Sequence, residues 1–128
     1  ILFKSKNMFG IRKYVNLLKL IKKKFTFKVE WNDIKKKNIL LRHDIDFSLE
    51  SAKLLAKKEN ELKIKSTYFF MLSSNLYNLF SDYSQNTIYE IKKLGHKISL
   101  HFNPSIYKKI NAGARMEINT FQDLFKTQ

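Results

Sequence analysis

Two aspartates separated by one residue could perform metal-dependent chemistry. Asp44 and Asp46 lie at the end of an extended stretch, so their side chains point to the same side and each carboxylate raises the proton affinity of the other. A divalent cation bound by Asp46 would relieve this repulsion and leave Asp44 as a general base for water. The alternative is that one aspartate caps the following helix and the other is solvated.

A histidine at the end of a later stretch could complete the site. His101 shares a predicted strand face with Ser99 and Asn103. If this strand ends beside the one that carries the aspartates, the imidazole of His101 comes within ligand reach of Asp46 and forms two arms of a His/Asp metal site. Asn103 offers a carbonyl oxygen, which is a weak ligand for zinc.

The other two histidines, His43 and His96, alternate away from the aspartate pair and from His101, so we expect them to be structural. The chain has no cysteine. This excludes disulfides, thiolate zinc sites and cysteine nucleophiles. Any metal must therefore be held by histidine and carboxylate.

Hydrophobic periodicity predicts the elements that position these residues. The predicted order is strand 38–45, helix 48–62, strand 66–72, helix 86–94, strand 97–102 and helix 114–125. Helices of this length can cross back over a sheet, so the βαβαβ order predicts parallel strands and an α/β fold. In such folds the chemistry lies at the carboxyl ends of the strands. Ser73 and Ser74 follow the second of these strands.

We expect residues 1–37 to form a separate N-terminal segment. Apolar residues at three- and four-residue spacing predict an amphipathic helix with a basic rim at 11–21, followed by an extended piece at 25–29. The helix either covers an edge of the core or docks on a membrane surface through lysines 22–24. No stretch reaches the roughly 18 apolar residues of a membrane span, and the lysines follow the apolar run, unlike a secretory signal. We expect a cytoplasmic protein.

The chain is strongly basic. It has 128 residues, 25 Lys+Arg against 11 Asp+Glu and a net charge of +14, with 44% hydrophobic residues to form one core. Only three of the basic residues are arginines, whereas nucleic-acid sites favour arginine. The lysine excess also accompanies other residues with A/T-rich codons. The charge alone makes a basic nucleic-acid-binding protein an alternative. Because arginine is scarce and composition explains much of the lysine excess, we do not expect a nucleic-acid partner.

Three runs of sequence, taken together, resemble a known family. They are L-R-H-D-I-D-F-S-L-E-S-A (41–52), I-K-S-T-Y-F-F (64–70) and L-G-H-K-I-S-L-H-F-N-P (94–104). In order and spacing they resemble the polysaccharide deacetylase family of carbohydrate esterases, over about half of the chain. The resemblance implies a distorted (β/α) barrel and metal-dependent hydrolysis of an N- or O-acetyl group on a sugar.

The resemblance also implies roles for individual residues. Asp44 matches the family's general base, and Asp46 and His101 match metal ligands; the metal expected is zinc, with cobalt as the alternative. Ile45 separates the two aspartates, as in a divergent branch of the family that reads His-Asp-Val-Asp. Ser105 stands where the family has its second metal histidine.

The third metal ligand is therefore open, with Asn103, His43 or a residue beyond this chain as the choices. A family domain has roughly 200 residues or more. We accordingly expect 38–128 to be the first half of such a domain, truncated at its C-terminus, so that the fragment alone could be inactive. The sequence favours a glycan deacetylase, with a non-catalytic glycan- or partner-binding module on the same scaffold as the alternative.

Overall fold

The structure is a computed structural model that describes residues 10–127, except for the side chain of residue 33. Within these residues all strand pairs are parallel. The elements are α1 (Ile11–Lys22), β1 (Thr26–Lys28), β2 (Asn38–Leu40), β3 (Arg42–Ile45), α2 (Leu49–Glu61), β4 (Thr67–Phe70), α3 (Asp82–Lys93), β5 (Lys97–Leu100) and α4 (Ile110–Phe125). The predicted α/β class with parallel strands is confirmed.

Two small sheets organise these strands. In the described part of the chain, β3, β4 and β5 form a three-stranded sheet in sequence order, and β1 pairs with β2. Only Leu41 separates β2 from β3, and its carbonyl accepts a hydrogen bond from Thr67 N at 2.9 Å. The extended segment therefore contacts β1 through its first part and β4 through its second. The closed barrel implied by the resemblance remains an expectation.

The two faces of the three-stranded sheet differ sharply. One face is buried under α2, α3 and α4. Its side chains come from residues that are paired across the strands, and they include Ile45, Tyr68, Phe70 and Ile98. The opposite face carries Arg42 and Asp44, whose side chains are 53% and 40% exposed. Parallel sheets are usually covered on both sides, so this second face is unusually open.

Serine caps determine where two of the helices begin. Ser48 accepts a hydrogen bond from Ser51 N at 3.1 Å and starts α2 as predicted. Ser81 does the same for Ser84 N at 3.2 Å, so α3 begins at Asp82, four residues before its predicted start. Gly95, with φ of 88°, ends α3 in the left-handed region that favours glycine.

The N-terminal segment has the predicted helix and strand. Helix α1 contacts α2 and buries Leu18, which fits the expectation that it covers an edge of the core. The short strand β1 lies within the predicted extended piece. In the part of the chain that the structure describes, no helix is both long and apolar enough to cross a membrane.

Candidate functional site

Asp46 and His101 meet at the carboxyl ends of the strands. Asp46 Oδ1 lies 2.9 Å from His101 Nδ1. The two residues follow β3 and β5, which are separated by β4, so the predicted neighbouring strand ends are not adjacent and the side chains meet across the end of the middle strand. His101 N donates to Phe70 O at 2.8 Å, which holds the backbone of residue 101 beside the end of β4.

The two facing atoms lie at ion-pair distance from each other and have no other polar partner among the described residues. Asp46 Oδ1 and His101 Nδ1 are buried, yet neither makes a hydrogen bond of acceptable geometry with any group among residues 10–127. Buried polar atoms normally have partners. Two ligand atoms that are each about 2.0–2.1 Å from one tetrahedral zinc ion lie about 3.3 Å apart, so a separation of a few tenths of an ångström more than the 2.9 Å observed would accommodate the ion. The pair therefore fits two ligands of a divalent metal.

Ser73 contributes a further polar atom beyond the end of β4. Its Oγ is buried and also has no hydrogen-bond partner among the described residues. Its position after the middle strand places it at the same edge of the sheet as Asp46 and His101. Within residues 10–127, however, no three histidine, aspartate or glutamate side chains group closely enough to hold a metal ion. A complete coordination shell needs water or a ligand from elsewhere.

Asp44 is held by an arginine on its own strand. Arg42 Nε donates to Asp44 Oδ1 at 2.7 Å, and the Arg42 guanidinium lies 3.8 Å from the centre of the Phe69 ring. The cation–π contact restricts the arginine, which in turn restricts the carboxylate. Asp44 and Asp46 both line a shallow pocket of about 250 Å³ between β3 and the start of α2, beside Phe47. Arg42 is not among the residues predicted for the site from the sequence, although its spacing of two from Asp44 places both on one face.

Asn103, the weak candidate ligand, has a local role. Its Oδ1 accepts hydrogen bonds from Ser105 N at 3.1 Å and from Ser105 Oγ at 2.7 Å. This caps the 3-10 helix Pro104–Ile106. The carbonyl oxygen that would bind a metal is thus already occupied by two donors.

His43 and His96 lie on the covered side of the sheet, around a buried carboxylate. Glu59 in α2 is fully buried, and its Oε1 lies 2.6 Å from His43 Nε2. His96 Nε2 lies 2.9 Å from Ala56 O, and its Nδ1 lies 3.0 Å from Ser66 Oγ. Because His43 faces Glu59, it is not available as the third metal ligand at Asp46.

Hydroxyl groups satisfy the rest of Glu59. Its Oε2 accepts from Ser66 Oγ at 2.5 Å and from Tyr68 OH at 2.9 Å, and its Oε1 accepts from Tyr14 OH. Burial alone would raise the pKa of this carboxyl, but the hydrogen bonds and the nearby His43 imidazole outweigh burial and lower it. Glu59 is not among the residues predicted from the sequence, although it continues the inner face of α2 three residues after Ala56.

Tyr77 ties the strand ends together immediately before the site. Its OH donates to Ile45 O at 2.5 Å and accepts from Met71 N at 2.8 Å. Burial raises the pKa of Tyr77 to about 12, so the phenol keeps its proton and remains a donor. This bridge holds the end of β3, from which Asp46 projects, against the end of β4.

No protein-family model, curated protein or solved structure matches this chain. The structure by itself establishes an α/β fold with parallel strands and with unsatisfied polar atoms at their carboxyl ends. Any more specific function depends on the geometry of Asp46 and His101 and on the resemblance of the three sequence runs.

Proposed function

We propose that the chain is part of a metal-dependent hydrolase that removes acetyl groups from a sugar or glycan, similar to polysaccharide deacetylases. The observation that carries this proposal is the 2.9 Å approach of Asp46 Oδ1 and His101 Nδ1, both buried and without hydrogen bonds among residues 10–127. The sequence resemblance assigns metal binding to these same two residues. The open sheet face beside them also suits a barrel interior that further strands would enclose.

Each residue has a distinct role in the proposal. Asp46 and His101 would hold zinc or cobalt, which when bound lowers the pKa of water and polarises the acetyl carbonyl. Asp44 lies two residues from Asp46, is exposed to incoming water and accepts its proton as general base. Arg42 holds the Asp44 carboxylate in position for this transfer.

A non-catalytic glycan- or partner-binding module on the same scaffold is the second candidate. It is favoured by one observation, the lack of a group of three protein ligands within the described residues. Two protein ligands alone give a weaker and less selective metal site than the three of catalytic zinc sites. This candidate predicts binding of a glycan without metal-dependent release of acetate.

Calorimetric titration of the 128-residue chain with zinc and with cobalt tests the metal site. We expect binding that is lost in Asp46→Ala and in His101→Ala. Asp123→Ala is the matched control, because Asp123 is an exposed carboxylate in α4. Binding that persists unchanged in Asp46→Ala would reject the site.

Acetate release from a panel of N- and O-acetylated sugars, measured with metal present, separates the two candidates. The enzyme proposal requires release that is abolished in Asp44→Asn with metal binding retained. Acetate release is measured on the full-length protein, because the 128-residue fragment alone could be inactive. Glycan binding without acetate release by the metal-loaded full-length protein favours the non-catalytic module.

A further inference from the structure

Two lysine triplets lie side by side at the amino ends of β1 and β2. Residues 22–24 precede β1, residues 35–37 precede β2, and all six side chains are exposed. The parallel register pairs Thr26 with Asn38, and Thr26 N donates to Lys37 O at 3.0 Å. Because neighbouring parallel strands lie about 4.8 Å apart, the two triplets form one surface, which we name the basic edge.

Four of the six lysines of the basic edge have no carboxylate partner among the described side chains. Lys22 is anchored, because its ammonium donates to Leu62 O at the end of α2. Among residues 10–127, no carboxylate lies within 4.0 Å of the ammonium groups of Lys23, Lys24, Lys36 or Lys37. Several like charges this close together repel one another and attract a polyanionic partner.

Apolar side chains continue this surface along α1. Lys13, Leu17 and Leu20 follow at helical spacing and form one stripe on the solvent side of α1, and Lys24 comes two residues after the end of the helix. Leu17 is 47% exposed and Leu20 is 61% exposed, and Phe25, at 40%, follows the stripe. The helix thus presents leucines between lysines, away from the Leu18 face that packs on the core.

We propose that the basic edge and the exposed stripe of α1 bind a membrane surface that contains anionic phospholipid. Lysines in this number are attracted to the negative surface potential, and the leucines enter the boundary between headgroups and acyl chains. A nucleic acid would use the lysines but would gain little from exposed leucines. The combination of both therefore favours a lipid surface.

Membrane docking leaves the candidate metal site accessible. The basic edge lies at the amino ends of β1 and β2, whereas Asp46 and His101 lie beyond the carboxyl ends of β3 and β5. All these strands run parallel within their sheets. The membrane proposal is thus independent of the proposed hydrolase function, and each can fail alone.

Flotation with vesicles tests the proposal on the 128-residue chain. The two vesicle preparations are phosphatidylcholine alone and equal parts of phosphatidylcholine and phosphatidylserine. We expect binding only to the second, and weaker binding as salt is raised. Equal binding to both preparations, or binding to neither, would overturn the proposal.

Charge variants test which lysines act. Replacing Lys23, Lys24 and Lys36 by glutamine should lower the affinity for the anionic vesicles at least about tenfold. The matched control replaces three exposed lysines elsewhere by glutamine: Lys57, Lys108 and Lys109. An equal loss in the control would mean that net charge alone drives binding, which contradicts a dedicated surface.

The leucines distinguish a membrane from a nucleic acid. Leu17→Gln combined with Leu20→Gln keeps good helix formers on an exposed face, and circular dichroism checks that α1 remains folded. We expect this variant to bind anionic vesicles several-fold more weakly and to leave any binding to short double-stranded DNA unchanged. Unchanged vesicle binding, with DNA binding lost only in the lysine variant, would assign the surface to nucleic acid instead.

Discussion

His43 Nε2 lies 2.6 Å from Glu59 Oε1, and this contact fixes the direction in which β3 faces. Side chains alternate along a strand, so the inward position of His43 places Asp44 on the open face of the sheet. The histidine and the proposed general base are neighbours in sequence but point in opposite directions. The buried cluster around Glu59 therefore supports the orientation of the candidate site.

Replacing Glu59 by glutamine should lower the free energy of unfolding by about 2–4 kcal/mol. The carboxylate is fully buried and accepts from donors that include Ser66 and Tyr68. An amide cannot accept all of these bonds, because its nitrogen is a donor. Urea denaturation followed by circular dichroism measures the change.

Glu61→Gln is the matched control for this prediction, since Glu61 lies two residues later in α2 and its side chain is 60% exposed. Its ion pair with Lys58 is a surface pair, so we expect a change below about 1 kcal/mol. A loss in Glu59→Gln no larger than that in the control would show that the buried cluster contributes little to stability.

Acidification should destabilise the fold in two stages. Burial lowers the pKa of His96 below its ordinary value of 6.5, and the hydrogen bonds described above lower the pKa of Glu59 below 4.5. The unfolded chain takes up both protons at higher pH than the folded chain, so the stabilisation is present at neutral pH. It declines first as the pH falls below 6.5 and again below 4.5.

The His96→Gln variant isolates the first stage. Its unfolding free energy, measured by urea denaturation between about pH 7 and about pH 5, should fall less steeply than that of the unmodified chain. Identical slopes would contradict the assignment of the first stage to His96.

The sequence predicts the elements well where hydrophobic period and turn residues agree. The helix that starts after Ser48 follows from local patterns, and Gly95 correctly ends α3. The predicted strand 38–45 is extended, but the structure divides it at Leu41 into β2 and β3, which belong to different sheets. The starts of α3 and α4 were each predicted four residues too late. For α3, the polar residues after the cap Ser81 hide a helix whose inner face carries Ser84 and Thr87, both buried although polar.

The candidate site is predictable only in part, because sequence reveals strand ends but not the contacts between them. Placement at strand ends predicts that Asp46 and His101 approach each other, and the structure places them 2.9 Å apart. Hydrophobic patterns do not reveal that Arg42 reaches Asp44, or that Glu59 is buried, since both contacts depend on side-chain direction. A charged residue on an inner helix face is the signal that could have identified Glu59.

Replacing Gly113 by alanine should destabilise the chain by about 1–3 kcal/mol. Gly113 is buried in α4, and an added Cβ would overlap the ring of Tyr107. That ring cannot easily retreat, because it stacks on Phe102 with centroids 5.6 Å apart and its OH donates to Glu117 at 2.5 Å. Thermal unfolding gives the sign and size of the change.

A double-mutant cycle with Tyr107→Ala supplies the control for Gly113→Ala. Removing the ring should allow the added methyl group to fit, so the second substitution costs less in this background. Ala112 is an exposed residue of the same helix, so Ala112→Ser should change the free energy of unfolding by less than about 1 kcal/mol. Additive losses from the two substitutions would contradict the proposed overlap.

Replacing Tyr77 by phenylalanine should loosen the candidate metal site as well as the fold. The phenol bridges Ile45 O and Met71 N, and its loss leaves both backbone groups without this partner next to Asp46. We expect a loss of about 1–3 kcal/mol in unfolding free energy. We also expect weaker zinc binding by calorimetry, since Asp46 is less well positioned opposite His101.

Tyr83→Phe is the matched control, because Tyr83 is exposed and its OH donates to Glu50 outside this bridge. If zinc affinity falls equally in both variants, or in neither, the Tyr77 bridge does not position Asp46.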